Sequence, residues 1–144
     1  MKYSPLIAIL RGVTPDKVLN VAEILIENGI NIIEVPLNSP NPLKSIQLLV
    51  DKYSDKALLG AGTVLKTSEV NNVFNTGAKL IVSPNTDCQV IQETKKLKMV
   101  SMPGCFTVSE ALSALKFGAD ALKLFPASTL CLLYTSPSPR DNTT

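Results

Sequence analysis

The sequence predicts an α/β fold in which helices cover a parallel sheet, and three observations support this prediction. Short apolar runs alternate along the chain with longer amphipathic segments, as in successive βα units. The apolar runs return at a nearly even spacing. They are also almost continuously apolar, which is typical of parallel strands that are buried on both faces.

The predicted strands are the short apolar runs, most of which end in polar or turn-forming residues. In chain order they are LIAIL (6–10), IIEVPL (32–37), ALLGAGTV (57–64), LIVSP (80–84), MVSMPG (99–104) and ALKLFPA (121–127). The segments between them predict helices. The first of these helices is PDKVLNVAEILIEN (15–28), which carries its apolar residues on one face.

The helix ends are marked by capping residues. Thr14 and Asn41 each precede a proline, which is favoured in the first turn of a helix. Thr107 and Glu110 have the spacing of a capping box. The expected C-terminal ends are glycines, namely Gly29, Gly77 and Gly118.

Two architectures satisfy this pattern, a (β/α)8 barrel and a doubly wound sheet. The even spacing, and the polar or turn residues at the strand ends, favour the barrel. We therefore predict a TIM barrel of which this chain holds about six βα units.

Composition excludes several classes of protein. With 144 residues, 45% hydrophobic and 18% charged, the chain has the profile of one globular domain with a real core. A net charge of +2 without a basic cluster argues against nucleic acid and membrane surfaces as partners. The N-terminus lacks a signal-peptide pattern, so we expect a cytoplasmic protein. The spacing of the three cysteines, Cys88, Cys105 and Cys131, suggests neither a metal site nor a disulfide framework.

The chain contains no histidine, which restricts its chemistry. This excludes Ser-His-Asp and Cys-His catalysis and the usual zinc ligand sets. If the protein is an enzyme, Lys, Glu, Asp, Tyr or Cys must move the protons.

Three of the βα units align with one another, as NGINIIEVPL, TGAKLIVSP and FGADALKLFP. Counted from the glycine, Glu34 and Lys123 occupy the same position in two of them, and Val82 occupies it in the third. Because side chains alternate along a strand, Glu34 and Lys123 should both point into the barrel. Their strand neighbours should face the helices, namely Ile33, Val35, Leu122 and Leu124.

A buried lysine beside a buried glutamate has a defined chemistry. Burial disfavours the ammonium form of a lysine, and a neutral amine attacks carbonyl groups to form a Schiff base. The protonated imine accepts electrons from a breaking carbon–carbon bond, and a base must accept and return a proton. We predict Lys123 as the nucleophile and Glu34 as that base. The alternative is an ion pair that only holds the fold, although such pairs seldom stabilise.

Arg11 and Thr63 are predicted at the rim, where they could bind an anionic substrate. Arg11 follows the first strand and could bind a carboxylate or phosphate, and a solvated surface arginine is an equal alternative. Thr63 ends the stretch GAGT (60–63), whose glycines allow close backbone approach. Taken alone this stretch is a weak signal, and a tight βα turn is the alternative explanation.

Six motifs in order resemble one family, the class I aldolases that cleave 2-keto-3-deoxy-6-phospho sugar acids. They are IAILRGVTPD, IIEVPLNSP, LLGAGTVL, LIVSPNT, PGCFTVSEA and ALKLFPAS, and the likeness runs from about residue 5 to residue 129. PLNSP and ILRG look like the galactonate type rather than the gluconate type.

The resemblance implies a TIM barrel that forms a homotrimer and needs no metal or cofactor. It implies that Lys123 forms the Schiff base, that Glu34 accepts and donates the proton, and that Arg11 and Thr63 bind substrate. The implied substrate is a phosphorylated keto sugar acid, 2-dehydro-3-deoxy-6-phosphogalactonate. The implied products are pyruvate and D-glyceraldehyde 3-phosphate.

The chain departs from the family pattern after about Thr129. Family members continue for two more βα units, which supply the last strands and a glycine-rich phosphate site. Here CLLYTSPSPRD back-translates to a string that resembles a transposon-based sequencing-library adapter. We therefore expect a partial aldolase barrel over 1–129 and a non-native tail over 130–144. We expect the true protein to be longer, and the 144-residue chain alone to fold poorly and to be inactive.

Three other functions stay open from the sequence. The gluconate-type aldolases act on the related sugar acid or on 4-hydroxy-2-oxoglutarate. Another phosphate-binding barrel, such as an epimerase or a relative of thiamin-phosphate synthase, would need other residues at the rim. A non-catalytic ligand-binding or structural fragment is the alternative from another class.

Overall fold

The helices and strands alternate along the chain, as the apolar pattern predicts. The computed structural model describes residues 3–127. Its helices are α1 (Pro15–Glu27), α2 (Pro42–Tyr53), α3 (Thr67–Asn75), α4 (Cys88–Lys96) and α5 (Val108–Lys116). Its strands are β1 (Ala8–Ile9), β2 (Ile32–Pro36), β3 (Leu58–Gly62), β4 (Leu80–Val82), β5 (Val100–Met102), β6 (Gly104–Cys105) and β7 (Lys123–Leu124).

The strand order decides between the two predicted architectures. The strands β1 to β5 form one parallel sheet in which the spatial order equals the chain order. A doubly wound sheet reverses its order at a switch point, and no reversal occurs among these described strands. Because successive crossovers have the same hand, a sheet that never reverses carries its helices on one face and curls towards a barrel. The barrel-type prediction is therefore confirmed.

The last described strand continues the same order beside β5 and β6. Only Pro103 separates β5 from β6, and β6 pairs with β7 in parallel. The N–H of Lys123 donates to the carbonyl of Pro103 at 2.9 Å, and the N–H of Phe125 donates to that of Cys105 at 3.1 Å. The predicted strand 99–104 is thus one strand interrupted at the proline, and β7 is its neighbour.

The core has two parts, one on each face of the sheet. The larger part packs strand residues such as Ile33 and Val35 against helix residues such as Val18 and Ile46. The smaller part lies on the opposite face and consists of Ile32, Leu58, Leu80 and Val82, with Val100 and Met102 packed against them. Since side chains alternate along β2, Glu34 shares the face of Ile32, which is the barrel interior.

The predicted helix ends agree with the structure in position but only partly in mechanism. The capping box is confirmed, because Thr107 Oγ1 accepts from the N–H of Glu110 and Glu110 Oε2 accepts from the N–H of Thr107. Thr14 and Asn41 lie at N-caps, but neither side chain makes a capping bond. Three glycines have positive φ at the C-terminal ends, as predicted: Gly29, Gly77 and Gly118.

The predicted tail, 130–144, and Cys131 within it lie outside the described residues. Of the other two cysteines, Cys88 is exposed and Cys105 is buried, and both are free. Within residues 3–127, the helices are too short or too polar to cross a membrane.

Candidate active site

Glu34 is a buried carboxylate that occupies space left open by a glycine. It lies in the middle of β2 and is 2% exposed. Its register partner on β3 is Gly60, and Gly62 follows two residues later on the same face. A Cβ atom added to Gly62 would collide with Oε2 of Glu34. The absence of a side chain on β3 therefore gives the carboxylate its place.

Glu34 and Lys123 line one cavity in the barrel interior. The cavity has a volume of about 280 Å³. Its remaining walls are apolar and come from β1, β4, β5 and the residues just before β1 and β7: Ile7, Ile9, Val82, Met102, Ala121 and Leu122. The two charged residues that share one register in the sequence are thus brought together across the interior.

The electrostatics of Glu34 reflect its burial. Desolvation raises the pKa of the Glu34 carboxyl, and the nearby charges of Lys123 and Arg11 only partly oppose this effect. Oε2 of Glu34 is buried and has no hydrogen-bond partner among the described residues. A buried, unsatisfied carboxylate oxygen is costly for a fold, and such atoms are typical of sites that receive a ligand or a proton.

Lys123 is the first residue of β7, where the sheet holds its backbone and the cavity receives its side chain. Its Cα pairs with Gly104 of β6, and the residue is half-buried. Nζ lies 4.8 Å from the centroid of the Phe125 ring. An amine in a largely apolar cavity beside a carboxyl group has the two functions that imine chemistry requires.

Arg11 and Thr63 lie after the carboxyl ends of β1 and β3, outside the residues that line the cavity. Arg11 is exposed, and its charge acts on Glu34. The turn that carries it is tied to the next strand end, because the N–H of Gly12 donates to Ser39 Oγ at 3.1 Å. Thr63 has a φ of 59°, which is costly for a β-branched residue and is found mostly where a surrounding site requires it.

The apolar walls of the cavity are the part that sequence reasoning missed. Ile7 and Ile9 were assigned to a strand but not to the site, although their spacing places them on one face. The expected direction of Leu122 is corrected, because this residue lines the cavity instead of facing the helices. Leu122 precedes β7 and does not follow strand alternation, and Leu124 is half-exposed.

A metal site is not apparent near this pair. Within residues 3–127, no group of three or more His, Cys, Asp or Glu residues is placed to hold a metal ion.

The chain matches the family model for KDPG and KHG aldolase over residues 1–133. It belongs to this aldolase family. The match covers both residues of the cavity pair and all the described strands.

Three curated relatives place the chain within the aldolase family. It is 50% identical over 124 residues to 2-dehydro-3-deoxy-6-phosphogalactonate aldolase of Escherichia coli K12, which covers 86% of this chain and 60% of that protein. It is 49% identical to a probable aldolase of the same name from Rhizobium meliloti, over 88% of this chain and 59% of that one. A 2-dehydro-3-deoxy-phosphogluconate aldolase from Zymomonas mobilis is 30% identical, over 76% and 52%.

Among solved structures, a KDPGal structure is likewise more similar to this chain than a KDPG aldolase is. A structure described as native KDPGal superimposes with a TM-score of 0.89 at 47% identity, covering 93% of this chain and 65% of that one. A KDPG aldolase from Legionella pneumophila, with pyruvate captured as a covalent carbinolamine, gives 0.80 at 32% identity, over 88% and 61%. The chain spans about 60% of the length of the first two curated relatives.

Proposed function

We propose that the protein is a Schiff-base aldolase that cleaves 2-dehydro-3-deoxy-6-phosphogalactonate to pyruvate and D-glyceraldehyde 3-phosphate. The observation that carries the proposal is the meeting of Lys123 and Glu34 in one cavity of a chain that belongs to the aldolase family. The names of the two relatives at about 50% identity support the choice of sugar.

The first step assigned to the pair is imine formation. The Lys123 amine attacks the C2 carbonyl of the sugar acid, and loss of water leaves a protonated imine. The covalent carbinolamine captured in the Legionella relative is the adduct that precedes such an imine. The walls given by Ile7, Ile9 and Met102 are apolar and leave Lys123 and Glu34 as the charged groups that line the cavity.

The second step is cleavage, in which Glu34 moves the proton. The Glu34 carboxylate accepts the proton of the C4 hydroxyl, the C3–C4 bond breaks, and its electron pair enters the imine to give an enamine. The aldehyde leaves as glyceraldehyde 3-phosphate. Glu34 then returns the proton to C3, and hydrolysis of the imine releases pyruvate. A raised pKa suits this double role, because the group must hold the proton between the two events.

Arg11 and Thr63 are proposed as substrate-binding residues at the rim. Arg11 is a cation beside the carboxyl end of β1, where an anionic group of the substrate can reach it. Thr63 offers a hydroxyl from a strained turn directly after Gly62, which itself touches Glu34. Neither residue is assigned a chemical step.

The proposal is tested by trapping pyruvate with borohydride in the protein expressed from its own gene. The unmodified protein should gain the mass of a reduced pyruvate adduct on Lys123, and Lys123→Met should abolish both the adduct and turnover. The matched control is Lys56→Met, which removes an exposed lysine and should leave both unchanged. An adduct that survives Lys123→Met contradicts the assignment, and no adduct at all favours the non-catalytic alternative.

The gluconate-type activity is the second candidate, supported by the 30% identical Zymomonas relative. The two sugar acids differ in stereochemistry, so kcat/KM for each can be measured with the same lactate dehydrogenase-coupled pyruvate assay. A higher kcat/KM for the galactonate derivative supports the first proposal. A higher value for the gluconate derivative replaces it with the second.

We also propose a homotrimer located in the cytoplasm, on the resemblance to this family. Light scattering of the purified protein should give three times the subunit mass. Fractionation of the source cells should place the activity in the soluble cytoplasmic fraction.

A further inference from the structure

The segment before β7 is joined to β5 through Asp120. The N–H of Asp120 donates to the carbonyl of Ser101 at 2.9 Å, and the N–H of Ser101 donates to Asp120 Oδ2 at 2.8 Å. Asp120 stands three residues before Lys123, so these two bonds connect the approach to β7 with the middle of β5.

A second contact connects Asp120 to α4. Lys95 Nζ lies 2.8 Å from Oδ1 and 2.6 Å from Oδ2 of Asp120, and it also donates to the carbonyl of Met99 at 3.2 Å. The two side chains are 33% and 40% exposed, so the ion pair alone contributes little to stability. Partial burial raises the pKa of Asp120, but the bonds from Lys95 and Ser101 outweigh it and hold that pKa below its usual value. The contact instead fixes the relative positions of α4, β5 and the segment before β7.

Register is the property of β7 on which the site depends. Main-chain hydrogen bonds such as that from Lys123 to Pro103 form in any register, since every residue of a strand can make them. A slip of one residue would turn Lys123 to the opposite face of the sheet. A side chain that recognises one partner on β5 excludes such a slip, and Asp120 is such a side chain.

We propose that Asp120 is a positioning residue for Lys123: by bonding to Ser101 of β5, it sets the register of β7 against β6 so that the amine enters the cavity beside Glu34. This inference rests on the proposed function, because it gives Asp120 a role in imine formation. Asp120 itself touches neither the substrate nor the reacting atoms.

The test compares variants of Asp120 by their rate of borohydride trapping with pyruvate, in the protein expressed from its own gene. Asp120→Ala removes the side-chain acceptor of the Ser101 N–H and the pair with Lys95, but it keeps the main-chain bond to the carbonyl of Ser101. It should lower the trapping rate per folded molecule by about tenfold, since small misplacements of a reacting group are costly. Asp120→Asn keeps an acceptor for the N–H of Ser101, so its trapping rate should lie between those of Asp120→Ala and the unmodified protein. Lys96→Gln is the control, because it removes a side chain that is 74% exposed and pairs only with Glu93 of the same helix among the described residues.

The pH dependence of turnover distinguishes a positioning role of Asp120 from a contribution of Asp120 to stability. Lys123 and Arg11 are the charges that lower the pKa of Glu34 against its burial. Turnover needs the ionised form of Glu34, which accepts the proton of the C4 hydroxyl. If Asp120→Ala moves Lys123 away, the acid limb of the turnover profile should shift to higher pH, whereas a loss of stability alone leaves the limb in place.

Two results overturn the inference in different ways. Trapping rates and acid limbs equal to those of the unmodified protein, in both Asp120 variants, reject the positioning role and leave the proposed function standing. No adduct in the unmodified protein rejects the proposed function and this inference together.

Discussion

At the scale of single residues, Glu34 is the residue that the fold alone does not explain. A carboxylate at 2% exposure loses its hydration, and Oε2 finds no hydrogen bond among the described residues to replace it. The charges of Lys123 and Arg11 offset only part of this desolvation penalty, since the pKa of Glu34 stays raised. We interpret this uncompensated desolvation penalty as evidence that Glu34 has a catalytic rather than a structural role.

The raised pKa of Glu34 predicts how stability depends on pH. The folded state binds the Glu34 proton more tightly than the unfolded state, so this residue lowers the free energy of unfolding as pH rises above the unperturbed value of 4.5. Glu34→Gln should therefore raise the urea midpoint at pH 8, and the difference should shrink as pH falls to 4.

The same variant should lose activity. General acid–base groups contribute about 100-fold to 10,000-fold, so turnover by Glu34→Gln should fall by such a factor while some imine formation persists. Glu23→Gln, in an exposed pair with Lys52, is the control for both measurements. A Glu34→Gln protein that is less stable at pH 8, or equally active, contradicts the assignment of Glu34.

At the scale of elements, the pairing of β2 with β3 builds the site. The two strands pair over their full five residues, and the positions opposite and beyond Glu34 on β3 are Gly60 and Gly62. A Cβ at Gly60 would collide with the backbone carbonyl of Leu80, whereas a Cβ at Gly62 would collide with the end of the Glu34 side chain. Gly60 therefore allows β3 and β4 to pair closely, and Gly62 leaves space for the Glu34 carboxylate.

This difference predicts that one alanine variant mainly loses activity and the other mainly loses stability. Gly62→Ala should displace the Glu34 carboxylate and lower turnover by about 100-fold, with a modest loss of stability of about 1 kcal/mol. Gly60→Ala should lose about 3 kcal/mol or fail to fold, because the backbone of β4 cannot move aside. Urea unfolding and steady-state kinetics on both variants check the prediction. A Gly62→Ala enzyme with normal turnover would show that Glu34 needs no such space.

At the scale of the whole molecule, the described strands have two outer members. Within residues 3–127, β1 pairs only with β2, and β7 pairs only with β6. Apolar side chains are exposed nearby, on β1 or just before it and on α5: Leu6, Ile9, Val108, Leu112 and Leu115. Paired and covered edges are the normal state of a barrel, so we propose that further βα units of a longer protein cover these surfaces.

Sequencing the source DNA across codon 130 checks this proposal and the non-native nature of residues 130–144. We expect the reading frame to continue into two more βα units with a glycine-rich turn, in place of the codons for CLLYTSPSPRD. Genomic codons that match those tail residues would contradict the expectation. In that case Lys123 would belong to a fragment in which catalysis has been lost.

Much of the fold and the central pair could be predicted from sequence because both depend on local periodicity. Alternation of apolar runs and amphipathic segments predicts βα units, and a shared register places Glu34 and Lys123 on the same face of two strands. The N-cap at Asp87, which accepts from Gln89 and Val90, was missed, because no pattern separates it from an ordinary turn residue.

The sequence by itself determined the element order, the α/β class and the residue types available for chemistry, since these follow from periodicity and composition. Only the tertiary structure decided the unreversed strand order, the apolar walls that Ile7 and Met102 give the cavity, and the contact between Gly62 and Glu34. It also decided that Asp120 joins the segment before β7 to β5. These features are distances between residues far apart in the chain, and they exist only when the strands are packed side by side.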